Sequence, residues 1–404
     1  MRKTNGTACV VFKEADLPLE VVILMVGGMA MLITGVLLFP VSSGTLPYYE
    51  NGLYGLLLII FALQMITLGK TPFGDMRRSK PLLAGGVLIA AVGIVTCFIP
   101  ILLHLPRLLL FLCFGPGGFL LLLRLCFAKD KFKSWARYGG IFRHLILGCS
   151  GVYLLSMLIA LLLWKRSLLT TPMTAVALLC FGAVIFYLAG VLRKIYREHP
   201  AAEKRPEGDV ELSTDQALLL LMGVFMLLLG VLLVPVGLGL LPFSGSAQLG
   251  LLMVIFALQM LASGSTPLGP FPRSWLVVGL GLLFAALGIV SCIIPEMLVP
   301  ALTVLVGVLN IMGGVVALAK MWGSRPGKTN EPREPVPPVL ARLFAAQLTM
   351  NLLTILFGTS MLIPGLVPTP IIGVILAANG CVLLYLLSIL VALDKMRGDV
   401  ENAV

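Results

Sequence analysis

The sequence predicts an all-α polytopic membrane protein with about 12 transmembrane helices, arranged as two parallel six-helix repeats of three helical hairpins each. The first observation is composition: 59% of the 404 residues are apolar and only 12% are charged, against roughly 25% charged in soluble domains. The mean hydropathy is correspondingly high, at +1.05. The other two observations are a series of long apolar stretches and an internal repeat.

The apolar stretches are long enough to cross a bilayer. A hydrocarbon core of about 30 Å needs roughly 20 apolar residues per helical span. A helix also satisfies its own backbone hydrogen bonds in lipid. The predicted spans lie near 20–39, 52–69, 81–99, 107–128, 144–163, 172–192, 216–234, 248–264, 275–294, 299–319, 343–363 and 370–392.

The basic residues predict the orientation of these spans. Of the 29 Lys and Arg residues, 25 fall in alternate connections, beginning with the N-terminal segment. By the positive-inside rule, this distribution places both termini in the cytoplasm of a multi-pass protein of the cell inner (plasma) membrane. The net charge of +11 is then a topological signal. The lipid bilayer is the expected partner, and nucleic acid is not.

An internal repeat predicts how the spans are grouped. FALQMITLGKTPFG at 61–74 returns as FALQMLASGSTPLG at 256–269, and residues 51–100 match 246–295 at 25 of 50 positions without a gap. Further along, TTPMTAVALL from residue 170 corresponds to PTPIIGVILA from residue 368. Each copy holds six predicted spans. Because six is even, the copies share one orientation, which is a parallel repeat.

The repeat sets the predicted domain boundaries. Residues 1–192 form the first six-helix membrane repeat, and 193–215 form a polar cytoplasmic linker. Residues 216–394 form the second repeat, with a polar cytoplasmic loop at 321–341, and 395–404 form a cytoplasmic tail.

Two family resemblances bear on function. GLGLLFAALGIVSCIIPEMLVPALTVLVGVLNIMGGVVALAKMW at 279–322 is similar to the short repeats of the HdeD-like membrane proteins, which are associated with acid resistance. This resemblance implies six-span units, here fused in tandem, and a role in acid stress. GKTPFGDMRRSK at 69–80 resembles the loop after span two of the major facilitator transporters. The second copy, GSTPLGPFPRSW, lacks the acidic residue of that loop.

Uncharged polar groups within the spans are the candidate ligand site. Gln64 and Gln259 occupy equivalent positions near the cytoplasmic ends of two spans, where an interhelical hydrogen bond is the alternative interpretation. In FGPGG at 114–118 the proline removes a backbone donor, which predicts either a broken helix that can bind a ligand or a packing kink. The candidate residues for a cavity that takes a small molecule or lipid are Gln64, Gln259, Gly115, Pro116, Gly117 and Asn310.

The sequence predicts no catalytic residue, cofactor site or metal site. The three histidines are far apart and the cysteines occur singly, with pairing of Cys97 and Cys292 left open. The carboxylates lie in loops or at span margins, which argues against ion-coupled transport. We therefore expect a non-enzymatic membrane protein, and the HdeD-like resemblance implies that it is of the acid-stress type. The alternatives are an uncoupled transporter or facilitator of a small molecule or lipid, and a structural membrane protein that binds a partner. The ligand and the oligomeric state are not determined by the sequence.

Overall fold

The chain is an all-α polytopic membrane protein. The computed structural model describes residues 14–15, 17–100, 104–127, 140–165, 170–199, 212–323, 338–363 and 365–401. Within these ranges twelve spans are long and apolar enough to cross a membrane. Their helices are α1 Leu19–Ser42, α2 Glu50–Leu68, α3 Lys80–Phe98, α4 Leu105–Phe114, α5 Pro116–Phe127, α6 Ile141–Trp164, α7 Thr171–Glu198, α8 Thr214–Gly237, α9 Gly245–Ser263, α10 Trp275–Ile293, α11 Val299–Gly323, α12 Pro338–Leu362 and α13 Thr369–Glu401. The fourth span consists of α4 and α5.

Several helices extend beyond the apolar stretch that predicted them. Helix α7 continues to Glu198 and α8 begins at Thr214, so the predicted linker is helical at its first residues; 200–211 lie outside the described residues. The predicted loop at 321–341 likewise starts as the end of α11, and 324–337 lie outside the described residues. The predicted tail is helical through Glu401, and 402–404 also lie outside. A helix does not have to end where lipid ends, because charged residues such as Lys194 and Glu198 can pair along it.

The segment that occurs twice forms the same local structure in both places. Gly69 and Gly264 end helices α2 and α9 in the left-handed conformation, with φ of 64° and 74°. A hairpin with strands of two residues follows each helix. In the first, β1 Lys70–Thr71 pairs with β2 Gly74–Asp75, and in the second, β3 Ser265–Thr266 pairs with β4 Gly269–Pro270. In each hairpin the threonine hydroxyl donates to the glycine carbonyl, at 2.7 Å in the first and 2.8 Å in the second. The sequence did not predict these strands.

The described helices divide into two compact units. The first contains residues 1–211, 244–264 and 272–299, which hold α1–α7 together with α9 and α10. The second contains residues 212–243, 265–271 and 300–404, which hold α8, α11, α12 and α13. The sequence-based domains separate the two copies of the repeat, whereas these units group helices by contact. The hairpin α9–α10, from the second copy, packs in the first unit against α1, α2 and α3.

Glycines bring helices close together in the first unit. Helix α1 packs along α7, and a Cβ atom added to Gly182 would lie 2.9 Å from the carbonyl oxygen of Gly28. Helix α2 packs along α3, and a Cβ atom at Gly93 would lie 2.8 Å from the carbonyl oxygen of Gly55. Small residues permit such approach between spans, where packing and hydrogen bonds hold helices together in lipid.

The second unit repeats one of these contacts. Helix α8 packs along α13, and a Cβ atom at Gly380 would lie 2.9 Å from the carbonyl oxygen of Gly223. Gly223 stands in the sequence repeat where Gly28 stands in the first copy, and Gly380 stands where Gly182 stands. The first and last spans of each copy therefore pack through equivalent glycines.

A candidate site inside the first six-helix bundle

A cavity of about 530 Å³ lies between spans of the first copy, α1–α7; we call these spans the first bundle. Its lining comes from α1, α2, α4, α5, α6, α7 and the β1–β2 hairpin, while α3 contributes no lining residue. Helix α3 packs instead on α2. Five spans of the first bundle thus line this cavity.

One end of this cavity carries an ion pair with a tyrosine. Glu20 lies in the first turn of α1, and its carboxylate accepts from the ammonium group of Lys70 on one oxygen and from the hydroxyl of Tyr196 on the other. Lys70 belongs to β1 and Tyr196 to the last two turns of α7. We call these three residues the Glu20 cluster, and the end of the first bundle where they lie the Lys70 end.

Further polar groups line the same cavity. They are Gln64 on α2, Asp75 on β2, and Tyr153 and Ser156 on α6. The hydroxyl of Ser156 lies 2.8 Å from the carbonyl oxygen of Tyr153 and 3.2 Å from that of Phe114. The rest of the lining is mainly apolar, so the cavity has a polar end and an apolar body.

A second cavity of about 280 Å³ lies in the same bundle. It is lined by residues from α1, α2, α4, α6 and α7 and from the segment before α2, including Tyr48, Glu50 and Thr171. The hydroxyl of Tyr54 donates to the carboxylate of Glu50. We call this end of the first bundle the Glu50 end. The smaller cavity therefore also has polar groups at its own end.

An apolar partition separates the two cavities. Met31, Leu57 and Phe114 line both of them. The ring of Phe114 meets those of Phe61 and Phe181 edge to face, with centroid distances of 5.3 Å and 6.0 Å. We call the side chains of Met31, Leu57, Phe61, Phe114 and Phe181 the aromatic partition.

The fourth span is broken directly beside the partition. Helix α4 ends at Phe114 and α5 begins at Pro116, at the position where the sequence left a broken helix and a packing kink as alternatives. The backbone N–H of Gly115 still donates to Phe111 at 2.8 Å, but Pro116 has no N–H to continue the series. A Cβ atom at Gly117 would lie 2.6 Å from the carbonyl oxygen of Pro72. The glycine after the break therefore lets the β1–β2 turn pack against α5.

The six predicted site residues fall in different places. Gln64 lines the large cavity, and Gly115, Pro116 and Gly117 form the break beside the partition. Gln259 is half-buried on α9 and is not one of the lining residues of this cavity. Asn310 is buried on α11 in the second unit, where its amide donates to the carbonyl of Val306 at 2.8 Å.

Sequence reasoning missed the Glu20 cluster and the aromatic partition. It placed Glu20 at the margin of a span and treated Lys70 only as one of the basic residues that set the orientation of the spans. A comparison of the copies carried a usable signal, since Lys70 corresponds to Ser265 and Tyr196 to Asp394. Polar groups that differ between otherwise similar copies are candidates for a role beyond folding.

Two other outcomes concern cysteine and metal chemistry. Cys97 and Cys292 are buried free thiols, and each approaches a backbone carbonyl, that of Gly52 at 3.5 Å and that of Ala247 at 3.7 Å. Among the residues that the structure describes, no group of three or more His, Cys, Asp or Glu is placed to hold a metal ion.

No protein-family model, curated protein or solved structure matches this chain. The resemblances to the HdeD-like proteins and to the major facilitator transporters stay predictions from the residues that carry them.

Proposed function

We propose that the first bundle binds small amphipathic molecules and lets them cross the membrane down their gradient, as an uncoupled facilitator. The observation that carries this proposal is the pair of cavities within one bundle, separated by the aromatic partition. Polar groups lie at the Lys70 end and at the Glu50 end, and apolar side chains lie between them. Such an arrangement suits a passenger with one polar group and an apolar body.

The sizes of the cavities support this class of passenger. Sites for small organic molecules are typically about 300–1,000 Å³, apolar in most of their lining, with a few polar groups that fix orientation. The larger cavity, at about 530 Å³, lies in this range. The smaller one, at about 280 Å³, lies at its lower limit. The aromatic partition is then the barrier that a passenger must displace.

The placement of charge supports passage without ion coupling. The carboxylates that line the cavities are Glu20 and Asp75 at the Lys70 end and Glu50 at the Glu50 end. The five side chains of the partition are all uncharged. An intramembrane charge is expensive and usually serves an ion or proton pathway. In this proposal the Lys70 end faces the cytoplasm, in accord with the positive-inside rule.

Two other functions remain as predictions from the sequence. An acid-stress role follows from the HdeD-like resemblance, and a structural, partner-binding role follows from the lack of catalytic motifs. Neither requires a hollow interior, whereas passage does. The cavities therefore favour the facilitator.

Dye flux into proteoliposomes tests the proposal. The purified chain is reconstituted, and two dyes that are charged at neutral pH are followed: ethidium entering vesicles that contain DNA, and carboxyfluorescein leaving self-quenched vesicles. We expect at least one dye to cross faster than in protein-free vesicles, and Phe114→Ala to increase that rate by removing part of the partition. Phe119→Ala, which removes an exposed ring on α5, is the matched control and should leave the rate unchanged. The proposal fails if neither dye crosses faster with the wild-type protein or with Phe114→Ala.

A further inference from the structure

We infer that the Lys70 end of the large cavity recognises an organic cation, a molecule with one ammonium group on an apolar body, and that this cation takes the place of Lys70 on Glu20. This inference rests on the proposed function and adds the charge of the passenger to it. Its basis is the charge of the lining, the unequal exposure of the two ion-pair partners, and the aromatic rings that line the same cavity.

The charged lining residues favour a cation. Two carboxylates, those of Glu20 and Asp75, line the cavity, against the single ammonium group of Lys70. A charge enclosed by protein is stabilised by an opposite charge and destabilised by a like one. Glu20 is the less exposed of the two carboxylates, since Asp75 is an exposed residue. An entering ammonium group gains from Glu20, whereas an entering carboxylate meets two groups of its own sign.

Within the ion pair, the carboxylate is the fixed partner and the ammonium group is the movable one. The side chain of Glu20 is 16% exposed and that of Lys70 is 39% exposed. Tyr196 also holds the second oxygen of Glu20 in place. The lysine ammonium sits on a flexible four-carbon stem that can move out into water. A ligand ammonium can therefore occupy the position of Lys70 without leaving Glu20 unpaired.

Aromatic rings line the same cavity, and two of them, Phe61 and Phe181, belong to the aromatic partition. Phe142 and Tyr153 from α6, Phe181 from α7 and Phe61 from α2 all contribute to the lining. The negative face of an aromatic ring attracts a cation, and this attraction grows when water is excluded. The same rings pack well against the apolar body of such a ligand.

The second copy does not repeat this arrangement. Ser265 stands at the position of Lys70, and Asp394 stands at that of Tyr196. Asp394 accepts instead from the side-chain amide of Gln216 at 2.6 Å, a bond that joins α13 to α8. The same position thus serves helix packing in the second unit, and the proposed recognition is specific to the first bundle.

Three probes of matched shape test the inference by equilibrium dialysis of the full chain in detergent. Phenylbutylamine is cationic, phenylpentanoate is anionic and phenylbutanol is neutral, and all three have the same phenyl ring and four-carbon chain. We expect phenylbutylamine to bind the wild type most tightly. Glu20→Gln should weaken its binding by about tenfold or more, since a charge-assisted contact is lost. Lys70→Gln should tighten its binding several-fold, since the competing ammonium is removed, and should weaken that of phenylpentanoate.

The controls separate folding from recognition. Glu198 and Lys194 form an exposed ion pair on α7, and neither residue lines this cavity. Glu198→Gln and Lys194→Gln should therefore leave the affinities for all three probes unchanged. Glu20→Asp keeps the charge and should retain part of the cation affinity if Glu20→Gln proves unstable. The opposite signs expected for Glu20→Gln and Lys70→Gln cannot arise from a general loss of structure.

The outcomes distinguish this inference from the proposed function. Tighter binding of phenylpentanoate, or equal binding of all three probes, overturns the preference for a cation but leaves a ligand-binding cavity in place. If Glu20→Gln and Lys70→Gln both weaken the binding of phenylbutylamine, the ion pair is purely structural and the inference is also overturned. Binding of none of the probes, together with no dye flux, overturns the proposed function itself.

Discussion

The backbone N–H of Tyr49 donates to the carbonyl of Ile293 at 2.8 Å, and the equivalent residues of the two copies form the same bond in the opposite direction. The N–H of Ser244 donates to the carbonyl of Phe98 at 3.0 Å. Ser244 corresponds to Tyr49 and Ile293 to Phe98 in the alignment without gaps. Reciprocal contacts of this kind are those of a two-fold interface. The hairpins α2–α3 and α9–α10 therefore meet as equivalent partners within the first unit.

A substitution at Gly52 tests how closely these two hairpins pack. A Cβ atom there would lie 1.9 Å from the carbonyl oxygen of Cys292, so Gly52→Ala must push the hairpins apart. We expect a loss of about 1–3 kcal/mol of stability, the usual cost of overpacking. Thermal unfolding in detergent is the measurement. Gly279→Ala on α10, where no atom lies within 4 Å of the added Cβ, is the control. Equal melting temperatures for the two variants would contradict the contact.

Gly35 and Gly230 are equivalent glycines with different neighbours. A Cβ atom at Gly230 would meet backbone atoms of α13, the nitrogen of Ala377 at 2.2 Å and the carbonyl oxygen of Gly373 at 2.5 Å. At Gly35 the nearest atom belongs to the side chain of Leu179, at 2.7 Å, and the nearest backbone atom, the carbonyl oxygen of Ala175, lies at 2.9 Å. The backbone clash is therefore closer at Gly230, and a helix backbone cannot rotate away as a side chain can. Gly230→Ala should therefore lower the melting temperature more than Gly35→Ala does, and the reverse order would show that the two contacts are misassigned.

The β1–β2 turn depends on Gly74. Its φ is 133°, in a region that disfavours any residue with a Cβ atom, and an added Cβ would also lie 1.9 Å from the guanidinium of Arg124. Gly74→Ala should cost about 1–2 kcal/mol. Gly44→Ala, at a φ of 74° with open space around it, should cost less because it adds backbone strain alone. Thermal unfolding of both variants gives the comparison, and a smaller loss for Gly74→Ala would refute this account of the turn.

Gln64 and Gln259 are equivalent in sequence, but only Gln64 lines the large cavity. Gln64→Leu removes a polar group from that cavity and should weaken the binding of phenylbutylamine several-fold, the loss of about one hydrogen bond. Gln259→Leu should leave this affinity unchanged. Dialysis of the two variants side by side provides the test. Similar losses in both would mean that the glutamines act through folding rather than through contact with the ligand.

The sequence predicted the spans well because the bilayer requires long apolar helices, whatever else a chain does. An irregularity near Gly115 was also predictable, since Pro116 cannot donate a backbone hydrogen bond, but the sequence left open whether it is a broken helix or a packing kink. The β1–β2 hairpin was not, because strands of two residues carry no periodic pattern. Gln64 stood out as an amide in an apolar span. Glu20, by contrast, is 50 residues from Lys70 and 176 from Tyr196, so no local pattern connects them.

Cysteine accessibility tests the central claim, that the first bundle has a water-accessible interior and an outer surface in contact with lipid. Single cysteines replace Ser156 in the large cavity, Thr174 in the small one, and Leu154, an exposed side chain on α6 that lines neither cavity. Membranes are treated with a water-soluble thiol reagent, and peptide mass spectrometry identifies the modified sites. The account predicts modification at 156 and 174 and protection at 154. Modification at 154 together with protection at 156 and 174 would contradict it.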